Sequence, residues 1–281
     1  MTDQLPQPAL VGLVARQEMR LALRNRWLVS YSALLAALTL TVSYFGLAVI
    51  EYTGFQGFDR TAVSLLNLVL YIVPLAALLM GVQSFRAEGG ATEQLFSEPL
   101  TPAEIVLGKL GGLALSHLLA TVLGFGFTGV LIGLKVGSRG FQTYLYLVGF
   151  TLLIGWVFIA LSSLLCILSG RTVRAYAVVL AAWFVLVLLF DLLLIGLSFL
   201  LPELWANRLA VAGVFLNPID TARVAATLSL SGSEVYGPAG ARLLRSLGSL
   251  PAATTLLTST LLAWIVLAAG GTIFFLNRSD L

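Results

Sequence analysis

The sequence predicts an all-α integral membrane protein with six transmembrane helices, and three observations carry that prediction. Hydrophobic residues make up 59% of the 281 and charged residues only 10%, against about 25% charged in an average soluble protein. The apolar residues gather into uncharged runs of more than 20 residues, and about 20 suffice to cross roughly 30 Å of hydrocarbon. Those runs are apolar on every face, which excludes the alternating segments of about ten residues that a membrane β-barrel needs.

Residues 1–26 are polar and charged and show no short apolar stretch before a small-residue cleavage site. No removable signal peptide is therefore expected, and insertion depends on the first span. The segment 9–26 predicts a helix in which Arg16, Arg20 and Arg24 form one stripe and Leu10, Val14 and Leu21 a neighbouring apolar one. This pattern suits an interfacial helix lying on the cytoplasmic leaflet. A solvated basic face accounts for it equally well, since Glu18 interrupts the apolar arc.

The six spans are expected at 27–50, 62–82, 110–134, 144–170, 175–201 and 252–276. An even number places both termini on one side, and the short-loop charges choose the side. Arg16, Arg20, Arg24, Arg26, Arg86, Lys109, Arg171, Arg174 and Arg278 stand on one, Arg60, Lys135 and Arg139 on the other. The richer side should be cytoplasmic. A probe at Ser231 is then expected to label from outside the cell and one at Ser97 not to.

The segment 84–109 predicts a cytoplasmic elbow of two short helices. Gly89 and Gly90 break the second span, 91–98 allows about two turns, and Pro99 ends them. Thr101, Pro102 and Glu104 then restart a helix with a capping box and proline in its first turn. Beyond the fifth span, 202–251 is too long for a plain connection and should be helical. Asn217 to Asp220 (NPID) reads as a turn ending in a helix cap, followed by the helical pattern TARVAATLSL; a second helix is expected near 239–247, with Arg242 and Arg245. These helices would lie flat at the interface or cover the end of the bundle.

Residue types exclude most chemistry. One cysteine, Cys166, and one histidine, His117, give no disulfide and no metal cluster. Gly108-Lys109 resembles the end of a phosphate-binding loop, but Ala103 stands where its first glycine belongs and Leu110 where its Ser or Thr belongs. No hydrolase elbow or metalloprotease helix is present. The arginines flank spans instead of forming one basic face, which argues against nucleic acid. Two ionisable groups fall inside spans. His117 is expected as a neutral imidazole bonded to a backbone carbonyl, and Asp191 as protonated, paired or facing a wet cavity. An Asp191→Asn variant is expected to insert normally and lose energised function; retained function would mark a structural role.

The EGGATEQLFSEPLTPAEIVLGK segment matches at Glu88, Gly90, Glu93, Pro99 and Glu104 to Lys109 a Glu-x-Gly-Thr-x-Glu-x-Leu pattern followed by Pro and a helix start. With the basic elbow helix, six spans and the long loop, the chain resembles the ABC-2 type permease family over nearly its whole length, in a type V exporter-like arrangement. It departs with Ala91 for the usual Thr, although Thr92 follows, and with Pro102 where relatives often carry Arg. FDLLLIGL at 190–197 and FLNPIDTARV at 215–224 make it similar to the Nos branch, which serves maturation of the copper-sulfur centre of nitrous oxide reductase.

The resemblance implies a non-catalytic homodimer in the bacterial inner membrane with two cytoplasmic ABC ATPase subunits that hold ATP and Mg. It assigns coupling to Glu88, Thr92, Glu93, Leu95, Phe96 and Glu98, with Leu95 and Phe96 as apolar anchors and Glu93 and Glu98 at the rim. Asn217, Pro218, Asp220 and Arg223 fall to the loop that would meet an extracytoplasmic β-helical partner. Membrane lipids complete the expected partners, and the scarcity of Cys, His and Met leaves no cofactor or metal expected on this chain. An ABC-2 exporter of lipid, glycan or drug, and a non-ABC scaffold or secondary transporter, are the alternatives.

Overall fold

The computed structural model of the chain describes residues 7–45, 58–86, 100–231 and 249–278. Among them every regular element is helical. Helix α1 (Pro8–Arg24) is followed by α2 (Arg26–Phe45), α3 (Phe58–Phe85), α4 (Pro102–Val136) and α5 (Phe141–Ser169). Next, α6 (Thr172–Phe184) and α7 (Phe190–Leu200) join through a π-helical turn, Val185–Leu189, into one span. Then come α8 (Glu203–Leu216), α9 (Pro218–Ser231) and α10 (Leu250–Arg278). Six of these stretches are long and apolar enough to cross a membrane, and they are the six expected.

The distribution of side chains suits a lipid solvent. Phe127, Leu134 and Val266 project from the bundle, while Thr61, Ser116, Thr121, Thr151, Ser162 and Thr272 are buried in it. With no water available there, Ser116, Thr151, Ser162 and Thr272 donate to carbonyls of their own or a facing helix and Thr121 meets the Tyr31 hydroxyl, while Thr61 Oγ1 finds no partner among the described residues. Ser162 donates to the Leu78 carbonyl (2.8 Å) and Tyr144 to that of Phe125 (2.8 Å). Helices α3 and α5 are the centre, and α3 buries 67% of its span against only 11% for the α6–α7 span. Within α3, Pro74 lacks an N–H and disturbs the carbonyls one turn back. The Trp183 indole N–H donates to one of them, Tyr71 O, at 3.0 Å.

Two elements differ from expectation, each for a local reason. The capping box forms: Thr101 Oγ1 accepts from Glu104 N (3.3 Å) and Glu104 Oε2 from Thr101 N (2.8 Å). Yet the helix it starts is no separate elbow piece. It runs unbroken into the third span, because nothing between Glu104 and Leu110 interrupts it and Gly108 is held by packing. The loop helix, in turn, starts at Pro218, three residues before the sequence reading placed it, because Asn217 itself is the cap and its side-chain oxygen accepts from Ile219 N (3.1 Å). The expected elbow helix at 91–98 and the helix near 239–247 lie outside the described residues.

Helix α1 packs against α4 along one face. Gly108 and Gly112 of α4 admit it closely: a Cβ at Gly112 would sit 2.5 Å from the Ala15 carbonyl oxygen, and one at Gly108 2.5 Å from Val14 Cβ. Glu18, which breaks the apolar arc in the sequence, is buried at this contact because Lys109 faces it from α4.

Candidate functional site

Among the described residues the ion pairs fall into two clusters, one toward each end of the bundle. The first is built on the α8–α9 hairpin, whose helices meet at a bend of 95° at Asn217. Small residues let α9 sink between α3, α5 and α10, with Ile219, Ala222, Ala225 and Ala226 fully buried. The hairpin is thus anchored in the bundle through α9. Asn217 fixes the corner: besides capping α9, its Nδ2 donates to the Leu186 carbonyl (2.8 Å) inside the π-helical turn and to Asp220 Oδ2 (3.0 Å). A π turn leaves carbonyls poorly paired along its own helix, and a side-chain amide from the neighbouring element supplies the missing donor.

From that corner α9 presents Arg223. Its Nη1 donates to Asp191 Oδ2 on α7 at 2.9 Å and to Asp220 Oδ1 one turn back at 2.7 Å. The structure thus joins Asp191 with Asn217, Asp220 and Arg223, which the sequence reading held as separate candidates. Arg223 offsets the cost of a bare carboxylate in an apolar span. Both side chains of the Asp191–Arg223 pair stay partly exposed, at 35% and 25%, so the pair fastens two elements without being sealed in. Desolvation pushes the Asp220 carboxyl up to about 6, against the pull of Arg223 and with a further push from Asp191. Pro218, the fourth loop candidate, supplies the first helical position of α9.

The second cluster sits at the opposite end, where α1, the end of α3 and the start of α4 meet. Lys109 Nζ pairs with Glu18 Oε2 at 3.7 Å and donates to the Ser84 carbonyl at 2.7 Å, with the Phe85 ring 5.4 Å away. Glu104 Oε1 accepts from Gln7 N (2.9 Å), fastening the start of α1 to the start of α4. Arg86 donates to the Cys166 carbonyl and ties α3 to α5. These contacts brace both flanks of 87–99. The coupling candidates Glu88, Thr92, Glu93, Leu95, Phe96 and Glu98 all lie in that stretch, outside the described residues.

His117 belongs to neither cluster. It is fully buried, its ring stacked on Tyr31 at 5.4 Å, and a Cβ on Gly155 would stand 2.0 Å from its Nε2. The backbone of Thr151 stands by the ring as the expected carbonyl partner, although neither ring nitrogen reaches strict hydrogen-bond geometry. Among the described residues no group of three or more His, Cys, Asp or Glu could hold a metal. The sequence reading missed Glu18 and Lys109 as a site. The available signal was the pairing of one acid on the buried arc of α1 with one lysine entering an apolar span.

Six apolar spans, a basic N-terminal helix packed on α4 and a helical hairpin sunk into the bundle define a multi-span helical membrane protein. Residues 13–281 match the family described as ABC-2 family transporter protein, and the chain belongs to that family. It is 35% identical over 260 residues to the probable ABC transporter permease protein NosY of Stutzerimonas stutzeri, covering 90% of this chain and 92% of the relative. To the protein of the same description in Pseudomonas aeruginosa it is 32% identical over 270 residues, covering 92% of each.

Proposed function

We propose that this chain is the membrane subunit of an ATP-driven transporter of the bacterial inner membrane, in which separate ABC ATPase subunits act through 84–109 on the α8–α9 hairpin. The observation that carries the proposal is the reach of α3. This 28-residue helix packs on α9, and at its C-terminal end Ser84 and Arg86 are held beside the residues that flank 87–99. Movement of the elbow would therefore reach the hairpin through one rigid element, with the Arg223–Asp191 latch on the adjoining span as the contact that changes.

A homodimer completes the proposal. The α6–α7 span is the most apolar of the six, with a mean hydropathy of 2.9, and the least buried, so a second copy has a large face to cover. ATP and Mg belong to the ATPase partners, and this chain is mechanical. Similarity to two relatives described as NosY permeases supports the Nos-branch resemblance, and on that resemblance the proposed role is assembly of the copper-sulfur centre of nitrous oxide reductase, with an extracytoplasmic β-helical partner at the hairpin. Deleting the chain should leave nitrous oxide reductase exported but without its copper-sulfur absorption spectrum, and the wild-type chain should restore it. A normal spectrum in the deletion strain would sink this branch of the proposal.

One observation favours a second reading, export of a lipid. A groove of about 490 Å³ between α4, α5 and α10 is lined by Leu107, Leu110, Ala114, Trp156, Ile265 and other apolar residues, a surface suited to an acyl chain. Loss of a specific lipid from the outer leaflet of the deletion strain, with nitrous oxide reductase intact, would select this reading.

A further inference from the structure

We propose that the Arg16–Arg20–Arg24 face of α1 is a binding site for anionic phospholipid headgroups, and that headgroup binding seats α1 against α4. The buried face of this helix is accounted for by Val14 and Glu18 against Gly108, Gly112 and Lys109. The opposite face is exposed and carries the three arginines, spaced one turn apart and so spread over roughly 12 Å of helix axis. Glu18 is the only acid in α1 and is committed to Lys109 on the other side. None of the three arginines pairs with an acidic side chain among the described residues.

Two further features choose a lipid over a free anion or a protein surface. Leu13, Leu21 and Leu23, at 63%, 51% and 42% exposure, stand exposed among the arginines, and a dissolved phosphate would leave them in water. A headgroup site places them at the acyl boundary. In addition, only Asn25 separates α1 from the first span; its side chain accepts from Trp27 N at 3.0 Å and donates to Gln83 at 2.8 Å. That short, pinned joint holds the stripe level with the start of the hydrocarbon. Juxtamembrane basic clusters bind anionic leaflets in this way, each cation adding to the attraction. Because Glu18 on the same helix contacts Lys109, and through it the end of α3, headgroup binding also stiffens the brace beside 87–99.

The test uses the purified full-length chain in neutral detergent, titrated with fluorescent phosphatidylglycerol and, separately, phosphatidylcholine. Wild type should prefer phosphatidylglycerol at least about tenfold, the preference falling as salt rises. An R16Q/R20Q/R24Q variant should lose the preference, and R16K/R20K/R24K should keep most of it. Phosphatidylglycerol should also raise the unfolding temperature of wild type more than that of the Gln variant. Equal affinities for the two lipids in wild type would overturn the site, as would a Gln variant that retains the preference. Should the Gln variant keep lipid binding and instead lose an ATPase subunit on purification, the stripe is a protein-docking face and the proposal fails. No ATPase takes part in the lipid titration, so its outcome is independent of the proposed function.

Discussion

Arg223 is the residue on which the hairpin end turns, since it holds one carboxylate on its own helix and one on the neighbouring span. Its replacement by Met would leave Asp191 and Asp220 facing each other without a cation. Half-exposed pairs are worth less than sealed ones, so Arg223→Met should cost about 1–3 kcal/mol in detergent-solubilised protein, read as a lowered unfolding temperature. Asp191→Asn should cost under about 1 kcal/mol, because Arg223 keeps Asp220. That variant nevertheless loses the ionic link between α7 and α9, and should assemble with its ATPase while failing in ATP-driven function. Equal destabilisation by both substitutions would show that Arg223 is not the shared partner.

The same cluster sets a pH dependence. The folded pKa of Asp220, about 6, lies above the ordinary carboxylate value, so the folded protein takes up its proton at a pH where the unfolded chain is still ionised. An ionised Asp220 thus opposes folding at pH 7, and that opposition is relieved as pH falls through about 6 towards about 4. Unfolding temperature should accordingly gain from this group on going from pH 7 to pH 5, and Asp220→Asn should flatten the gain. Isolated residues of this kind were legible in the sequence as costly, but their partnership was not. Asp191 and Arg223 are 32 positions apart, and only the 95° fold of the hairpin back onto the bundle brings them together.

Among elements, the spans were the most legible because lipid imposes their length and apolarity on the sequence itself. Their ends were less so. A capping box marks where a helix begins without saying whether it stops again, and α4 simply continues through Gly108 into the membrane. The role of Glu18 on α1 was not legible for a related reason: an acid in an apolar arc has no visible partner until Lys109 is placed across from it. The seat of α1 gives a direct prediction. Gly112→Leu adds a side chain where a Cβ already falls 2.5 Å from the Ala15 carbonyl and 2.6 Å from Glu18 Cβ, so α1 must lift off. This overpacking should cost about 1–3 kcal/mol and expose α1 to limited proteolysis, whereas Gly126→Leu, at an open position on the same helix, should do neither. Equal protection of α1 in both variants would contradict the docked arrangement.

At the scale of the whole molecule, the bundle holds two braced ends joined by central helices. The brace at one end ties together the residues that flank 87–99, and the latch at the other fastens the hairpin to the least buried span. The proposed coupling needs something to pull on 84–109, and the Gly108-Lys109 pair lacks the first glycine and the Ser or Thr of a phosphate-binding loop. A separate ATPase is the proposed source of that pull. Affinity purification of the full chain from native membranes, followed by identification of the retained subunits and an ATP hydrolysis assay, tests this most directly. An ABC ATPase subunit should copurify and hydrolyse ATP, and a Leu95→Asp chain should reach the membrane in normal amount yet retain none of it. A chain that purifies from native membranes without any ATPase, while its biological function persists in the same cells, would contradict the account.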